Sequence, residues 1–288
     1  MKRIIAILLT MVVILTACKK EHDIKKSADV LHRVTFQVGF SQISSGFTSN
    51  LKLASADTSV TNNINMLYYL VYDSNGKNLL NVSQDISDVH FGTIIDSLHA
   101  GSYTVAVIGL KGALNYSIAD LSKIYFTSRF TEVFFKKMTF TVGDVSTTQA
   151  VNLQRINSKL QVIIKDKIPS NITEIQIHVV NLYNSFAIGS ETGSQPYPFA
   201  FYFPIPSSAL GTANYTLSSP TFISNGTLTV DITALNGRTV ISQKTLDVTT
   251  AKNKVTVLSG NLFGGNGGSG GGFTLSLPAW NAPVTQGF

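Results

Sequence analysis

Apolar and polar residues alternate one for one in segment after segment of this chain, and that periodicity leaves few folds open. Val34, Phe36, Val38 and Phe40 alternate with Thr35, Gln37 and Gly39. Ile175, Ile177 and Val179 alternate with Gln176 and His178, and Leu228, Val230 and Ile232 with Thr229 and Asp231. Tyr103, Val105 and Val107, like Leu160, Val162 and Ile164, follow the pattern less cleanly. A period of two sends successive side chains to opposite faces of a strand, one toward a core and one toward water. Sustained helical periodicity is missing; a short helix over Tyr116 to Lys123 is the one helical expectation.

Turn residues punctuate these runs. Asn75-Gly76, Asn225-Gly226 and Asn236-Gly237 stand between or beside strand-like segments. Asn-Gly supplies the two positive φ angles of a type I′ turn, so three hairpins are predicted. Short strands separated by such turns imply an all-β chain of antiparallel β-sandwiches rather than a βαβ fold. The length of 288 residues suffices for two tandem domains, expected at 30–154 and 155–288. The boundary falls near Gln154, where residues 148–153 close one strand series and 156–165 open another. Each series starts with an opening strand and continues with a longer one (64–72 and 172–182), a weak internal duplication. Residues 264–272 are nearly pure glycine and serve as a flexible linker before an isolated alternating strand, 273–277.

The N-terminus has a different character. Lys2 and Arg3 precede an apolar run from Ile4 to Leu15, broken only by Thr10. At about 12 residues this run is a signal peptide's apolar region, too short to cross a bilayer core that needs about 20. Leu15, Thr16, Ala17 and Cys18 follow, and they resemble the bacterial lipobox. Residues 1–17 are then a lipoprotein signal peptide, and Cys18 becomes the first mature residue, carrying diacylglycerol and an N-acyl chain. Elsewhere the one cysteine of an exported chain would read as a free thiol or half of an intermolecular disulfide. Each buried CH₂ contributes about 0.8 kcal/mol, so several acyl chains hold stably where one does not. Residues 18–29 carry Lys19, Lys20, Glu21, Asp23, Lys25 and Lys26 and form a solvated tether, or one in contact with lipid headgroups.

Charge and motif content exclude several functions. The formal charge of +6 falls to +4 without Lys2 and Arg3, which does not imply nucleic acid as a partner. Charged residues are 13%, against about 25% in ordinary soluble domains, so hydroxyls and amides keep the surface wet. No Gly-x-Ser-x-Gly, His-Glu-x-x-His or phosphate-loop pattern occurs, and one cysteine builds neither a thiol nucleophile beyond Cys18 nor a cysteine zinc site. His22, His32, His90, His99 and His178 are dispersed; His90 and His99 lack a carboxylate at ligand spacing, so no metal, cofactor or catalysis is expected. Asp73-Ser-Asn-Gly76 departs from a calcium loop, with its glycine two places early and Gln84 at position twelve, and reads as a turn.

Two segments carry the interaction expectations. In residues 196–206, Phe199, Phe201 and Phe203 fall on one face and Tyr202 on the other, between prolines that a central strand does not admit. This is either an edge strand whose phenylalanines fill the second core or an exposed patch for a partner or glycan. At the C-terminus, Phe273, Leu275 and Leu277 alternate ahead of Pro278 and Trp280. They form a strand that either completes its own sandwich or is donated to another subunit by strand addition.

Four features, in order, carry a resemblance: the lipobox at 15–18, Asn63-Ile-Asn-Met-Leu-Tyr-Tyr-Leu-Val-Tyr-Asp-Ser-Asn-Gly-Lys77, Leu98-His-Ala-Gly-Ser-Tyr-Thr-Val-Ala-Val107, and Gln154-Arg-Ile-Asn-Ser-Lys-Leu160. The chain resembles the fimbrillin and fimbrial-anchor lipoproteins of Bacteroidales. The resemblance implies two transthyretin-like domains, an outer-membrane lipid anchor exposed at the cell surface, and other fimbrial subunits as partners. It implies an anchor or accessory subunit; a surface glycan-binding lipoprotein of an uptake system is the alternative. Polymerising fimbrillins lose an N-terminal strand to an Arg- or Lys-specific protease, and a cut after Lys52 would do so here; an anchor has to escape that cut. Cys18→Ala is expected to abolish incorporation of a labelled fatty acid, and label retained on the variant would contradict the lipobox assignment.

Overall fold

The computed structural model describes residues 30–40, 60–112, 115–117, 125–127, 130–223, 226–264 and 273–278. The first half forms β1 (Leu31–Phe40), a helical turn α1 (Val60–Asn63), β2 (Met66–Tyr72), β3 (Asn78–Asp85), β4 (Thr93–His99), β5 (Gly101–Leu110), β6 (Asn115–Ser117), β7 (Tyr125–Thr127), β8 (Val133–Val142) and β9 (Thr147–Arg155). The second half forms β10 (Lys159–Ile164), β11 (Glu174–Ala187), β12 (Thr192–Pro204), β13 (Tyr215–Ser218), β14 (Gly226–Asn236), β15 (Thr239–Thr250), β16 (Val255–Gly260) and β17 (Thr274–Ser276). Among the described residues no helix is long and apolar enough to cross a membrane.

In the first half the strand order is β3-β2-β5-β8-β9-β1-β4, with β8 and β9 joined only through Phe134 and Phe135. That narrow joint lets the sheet fold into two layers, β3-β2-β5-β8 and β9-β1-β4, around one core. The alternation of β1 sends Val34, Phe36, Val38 and Phe40 into that core, all nearly solvent-free. Phe36 lies 5.2 Å from both Tyr69 and Phe140, and Phe40 4.9 Å from Phe134. The Tyr69 hydroxyl crosses the layers and donates to Asp96 at 3.1 Å; burial first, and then the Asp96 charge, push its pKa up.

β2 breaks the alternation, and its surroundings say why. Leu67, Tyr69 and Val71 face the sandwich core, while Tyr68, Leu70 and Tyr72 join a second cluster with Phe135, Phe186, Ile188 and Ile223. A strand buried on both faces has no polar face to show. Phe186 and Ile188 come from the far end of the β11–β12 hairpin, where the Phe186 ring meets Phe135 at 5.1 Å. Lys137 of β8 fastens the hairpin tip, donating to the Gly189 carbonyl at 2.6 Å and pairing with Glu191 at 3.1 Å.

The second half has sheets β13-β10-β16-β17 and β15-β14-β11, with β12 on β11, and β7 and β6 of the first half extend the latter sheet. Leu160, Val162, Ile164, Ile175, Ile177, Leu228, Val230 and Ile232 all lie in one core between them. Residues 155–158 join the halves. The Arg155 guanidinium, 7% exposed, donates to Glu132 and Asn253 at 3.0 Å each and lies 5.0 Å over the Phe134 ring. Burial lowers its pKa, against the pull of Glu132. Asn157 accepts from the Val133 amide and donates to the Thr131 carbonyl at 3.0 Å.

Several expectations need correction. The sandwiches are not purely antiparallel: β1 runs parallel to β9 over seven residue pairs, and β10 parallel to β16 over six. A parallel partner requires a long crossover, and here the whole intervening strand series supplies it. The Asn75-Gly76 hairpin exists, but only Gly76 has positive φ. The Gly76 amide bonds the Asp73 carbonyl and the Asp73 amide bonds the Lys77 carbonyl, each at 3.0 Å, which is a type I turn followed by a left-handed residue. The Asp73 carboxylate also accepts from the Asn75 and Lys77 amides at 2.9 Å, so this motif is a turn. At the β14–β15 hairpin Gly237 is the first central residue and Arg238 the second, with positive φ at Gly237 alone, as a type II′ turn requires. Asn225-Gly226 closes no hairpin, since β13 pairs with β10 while β14 pairs with β11 and β15; Asn225 lies outside the described residues. Tyr116 and Ser117 belong to strand β6, not to a helix, and residues 118–123 lie outside the described set.

Phe36→Ala should cost about 3–5 kcal/mol by removing a buried aromatic ring. Val145→Ala, at an exposed position, should stay within about 0.5 kcal/mol. Urea denaturation measures both, and equal midpoints would contradict the placement of β1 at the core.

Candidate subunit interface

β17 reaches the fold after the glycine-rich segment and docks antiparallel on β16, with Ser276, Leu275 and Thr274 opposite Val257, Leu258 and Ser259. The Thr274 hydroxyl donates to the Ser259 carbonyl at 3.2 Å, and the Val255 amide donates to the Pro278 carbonyl at 3.2 Å. The contact is made by backbone. A Cβ at Gly260 would fall 2.7 Å from the Phe273 ring and 2.8 Å from its Cα, so only glycine admits the strand this close. Of Phe273, Leu275 and Leu277, Phe273 alone packs against the second core; Leu275 is 46% and Leu277 38% exposed. Backbone hydrogen bonds contribute about 1 kcal/mol each net. β17 is therefore a lightly held edge strand, unlike β1 with its four core side chains.

The aromatic segment forms β12, which pairs with β11 alone among the described strands. Pro196, Pro198 and Pro204 lie on this edge strand, where the missing amides break no ladder. Phe201 is buried, and Phe199 and Phe203 pack against the second core. Phe130, in the left-handed region at φ 63°, stacks its ring 4.9 Å from Phe199 and 5.6 Å from Phe201. Tyr202 points the other way and is 61% exposed. The four side chains thus do not form one exposed patch.

Among the described residues, His90, His99 and His178 each sit in a separate hydrogen-bonding setting. His90 accepts from Gln84 through its carbonyl at 3.3 Å in the β3–β4 turn, and the His99 carbonyl accepts from the Tyr103 hydroxyl at 3.0 Å. His178 lies 3.3 Å from Asp231. Among the described residues no group of three or more His, Cys, Asp or Glu is placed to hold a metal ion. Leu15, Thr16, Ala17 and Cys18, the tether 18–29, His22, Lys52, residues 265–272 and Trp280 lie outside the described residues. Periodicity did not single out Gly260; its signal was a glycine closing an alternating strand, a common mark of close backbone approach.

A model of the fimbrillin-A associated anchor proteins Mfa1 and Mfa2 matches residues 33–282, nearly the whole of the folded chain. The chain belongs to that family. No curated protein matches it by sequence. Among solved structures it is similar to the fimbrial anchor protein Mfa2 from Porphyromonas gingivalis, with a TM-score of 0.56 and 10% identity over 87% of this chain and 98% of the other. A Bacteroides thetaiotaomicron structure described as an adhesin gives 0.55 and 9% over 88% and 98%. Another from that species, described as polysaccharide-binding, gives 0.57 and 10% over 80% and 91%. At such identities these likenesses speak for the fold. Membership in the Mfa2 family gives the chain a fimbrial accessory or anchor role and associates it with the cell surface and with other fimbrial subunits.

Proposed function

We propose that this member of the anchor family is held in the outer membrane by acyl chains on Cys18 and joins the fimbrium by handing β17 to a neighbouring subunit. The observation that carries the reading is the unequal seating of the two ends. β1, which the tether runs into, is locked in the first core, whereas β17 has a three-residue ladder and two exposed leucines. The residues before β17 permit the transfer. Nine residues of glycine-rich chain span about 15–18 Å root-mean-square, and about 32 Å when extended. In an acceptor edge, Phe273, Leu275 and Leu277 offer alternate side chains to core pockets while the backbone extends the ladder. Leaving β16 costs a few hydrogen bonds and the partial burial of Phe273, which a longer pairing in the acceptor offsets.

Deleting residues 273–288 from the full chain tests this. The truncated subunit should melt within about 10 °C of the parent, since each kcal/mol shifts a chain of this size by about 2–4 °C. It should no longer co-purify with other fimbrial subunits. A truncated chain that still co-purifies, or one that melts far lower, would contradict the donation of β17.

A further inference from the structure

The outer face of the sheet β12-β11-β14-β15 carries a set of polar side chains that the fimbrial role does not use. Cross-strand register places Tyr202, Gln176, Thr233 and Gln243 in one row across the four strands. These lie on the outer face, because Ile175, Ile177, Ile232 and Ala234 beside them point into the core. Strands sit about 4.8 Å apart, so the row is about 14 Å long. Tyr202 stands exposed at one end, Gln243 is exposed at the other, and Thr233, 8% exposed, forms the floor between the two glutamines. Among the described residues, the side-chain amides of Gln176 and Gln243 and the Tyr202 hydroxyl make no hydrogen bond to the protein, and each can both donate and accept.

The adjacent row is already ordered. Asp231 accepts from the Thr245 hydroxyl at 2.6 Å through one carboxylate oxygen, and its other oxygen lies 3.3 Å from His178 Nδ1. One row further, the Thr229 hydroxyl donates to Asp247 at 3.0 Å. The Thr245 hydroxyl holds the Asp231 carboxyl below its usual range against desolvation, with lesser help from His178. Neither of the first two rows contains a Lys or Arg to pair with an anionic polymer, and the second carries the Asp231 carboxylate.

We propose that this face binds an extended, neutral, equatorially linked polysaccharide lying across the strands, with one sugar ring on Tyr202 and its hydroxyls on Gln176 and Gln243. The chemistry is complementary. The ring of Tyr202 offers a flat apolar surface with a polar rim. Planar amides match adjacent hydroxyls, which themselves both donate and accept. The backbone of the row is fixed by strand pairing, so ordering on binding is confined to the side chains of Tyr202, Gln176 and Gln243. The site is independent of β17 and of the fimbrial reading.

Affinity electrophoresis of the full mature chain tests it, with soluble hydroxyethylcellulose in one gel and glycogen, an axially linked coil, in another. Retardation is expected in the first gel and not in the second. Tyr202→Ala and Gln176→Ala should each weaken retardation about tenfold, the loss of one aromatic or bidentate contact. Tyr202→Phe should keep most of it, and Leu275→Ser on β17 should leave it unchanged. Absence of retardation, equal retardation in both gels, or retardation that survives Tyr202→Ala or falls with Leu275→Ser would overturn the proposal.

Discussion

Each half of this protein is closed by the same device: the strand that opens the series lies parallel beside one from near its end. β1 lies along β9 from Val34 to Phe40, and β10 along β16 from Lys159 to Ile164. In sequence, every other strand of the first half, and every strand of the second except β17, comes between these two, so the pairing can form only when that series is complete. Its consequence is largest in the first sandwich. Val34, Phe36, Val38 and Phe40 together bury side chains that contribute on the order of 1.5–3 kcal/mol each. Their sum rivals the entire stability of an ordinary domain, about 5–15 kcal/mol. The segment that follows the tether is thus a structural member, and removing it would open the layer between β9 and β4.

The opposite end of the chain is built to another standard. β17 adds three residues to the edge of β16, leaves Leu275 and the following Leu277 exposed, and depends on a single glycine for its approach. Stability within a fold is uneven, and segments with few buried apolar contacts open first. The proposed donation of β17 draws on that asymmetry between the two ends. The joint at Arg155 and Asn157 keeps the halves in register between these ends, through Glu132, Phe134 and Asn253.

The strands with one wet face, β1, β11 and β14, could be read directly from alternation, because a half-buried strand writes its environment into a period of two. β2 could not, since Tyr68, Leu70 and Tyr72 are buried against residues more than a hundred positions away. Asn-Gly marked the turns at Gly76 and Gly237 but not their geometry, which loop length and neighbouring hydrogen bonds decide. It misled at Gly226, where the chain passes between sheets. The parallel pairings were invisible to local reasoning, which sees strands but not their long-range partners. At the candidate interface, the terminal strand was evident in Phe273, Leu275 and Leu277, whereas the need for Gly260 emerged only when β17 was in place. Tyr202 was separated from its phenylalanine neighbours by parity alone, but the row it forms with Gln176 and Gln243 required the register across four strands.

A strand with four side chains in the first core should stay in the mature protein, and with it the proposed link to lipid. Mass spectrometry of the form isolated intact from the cell surface tests it most directly. The expected N-terminus is acylated Cys18, with β1 present in the same polypeptide as the rest of the fold. A mature chain beginning at Leu53, after cleavage at Lys52, would contradict it and mark the protein as a polymerising stalk subunit.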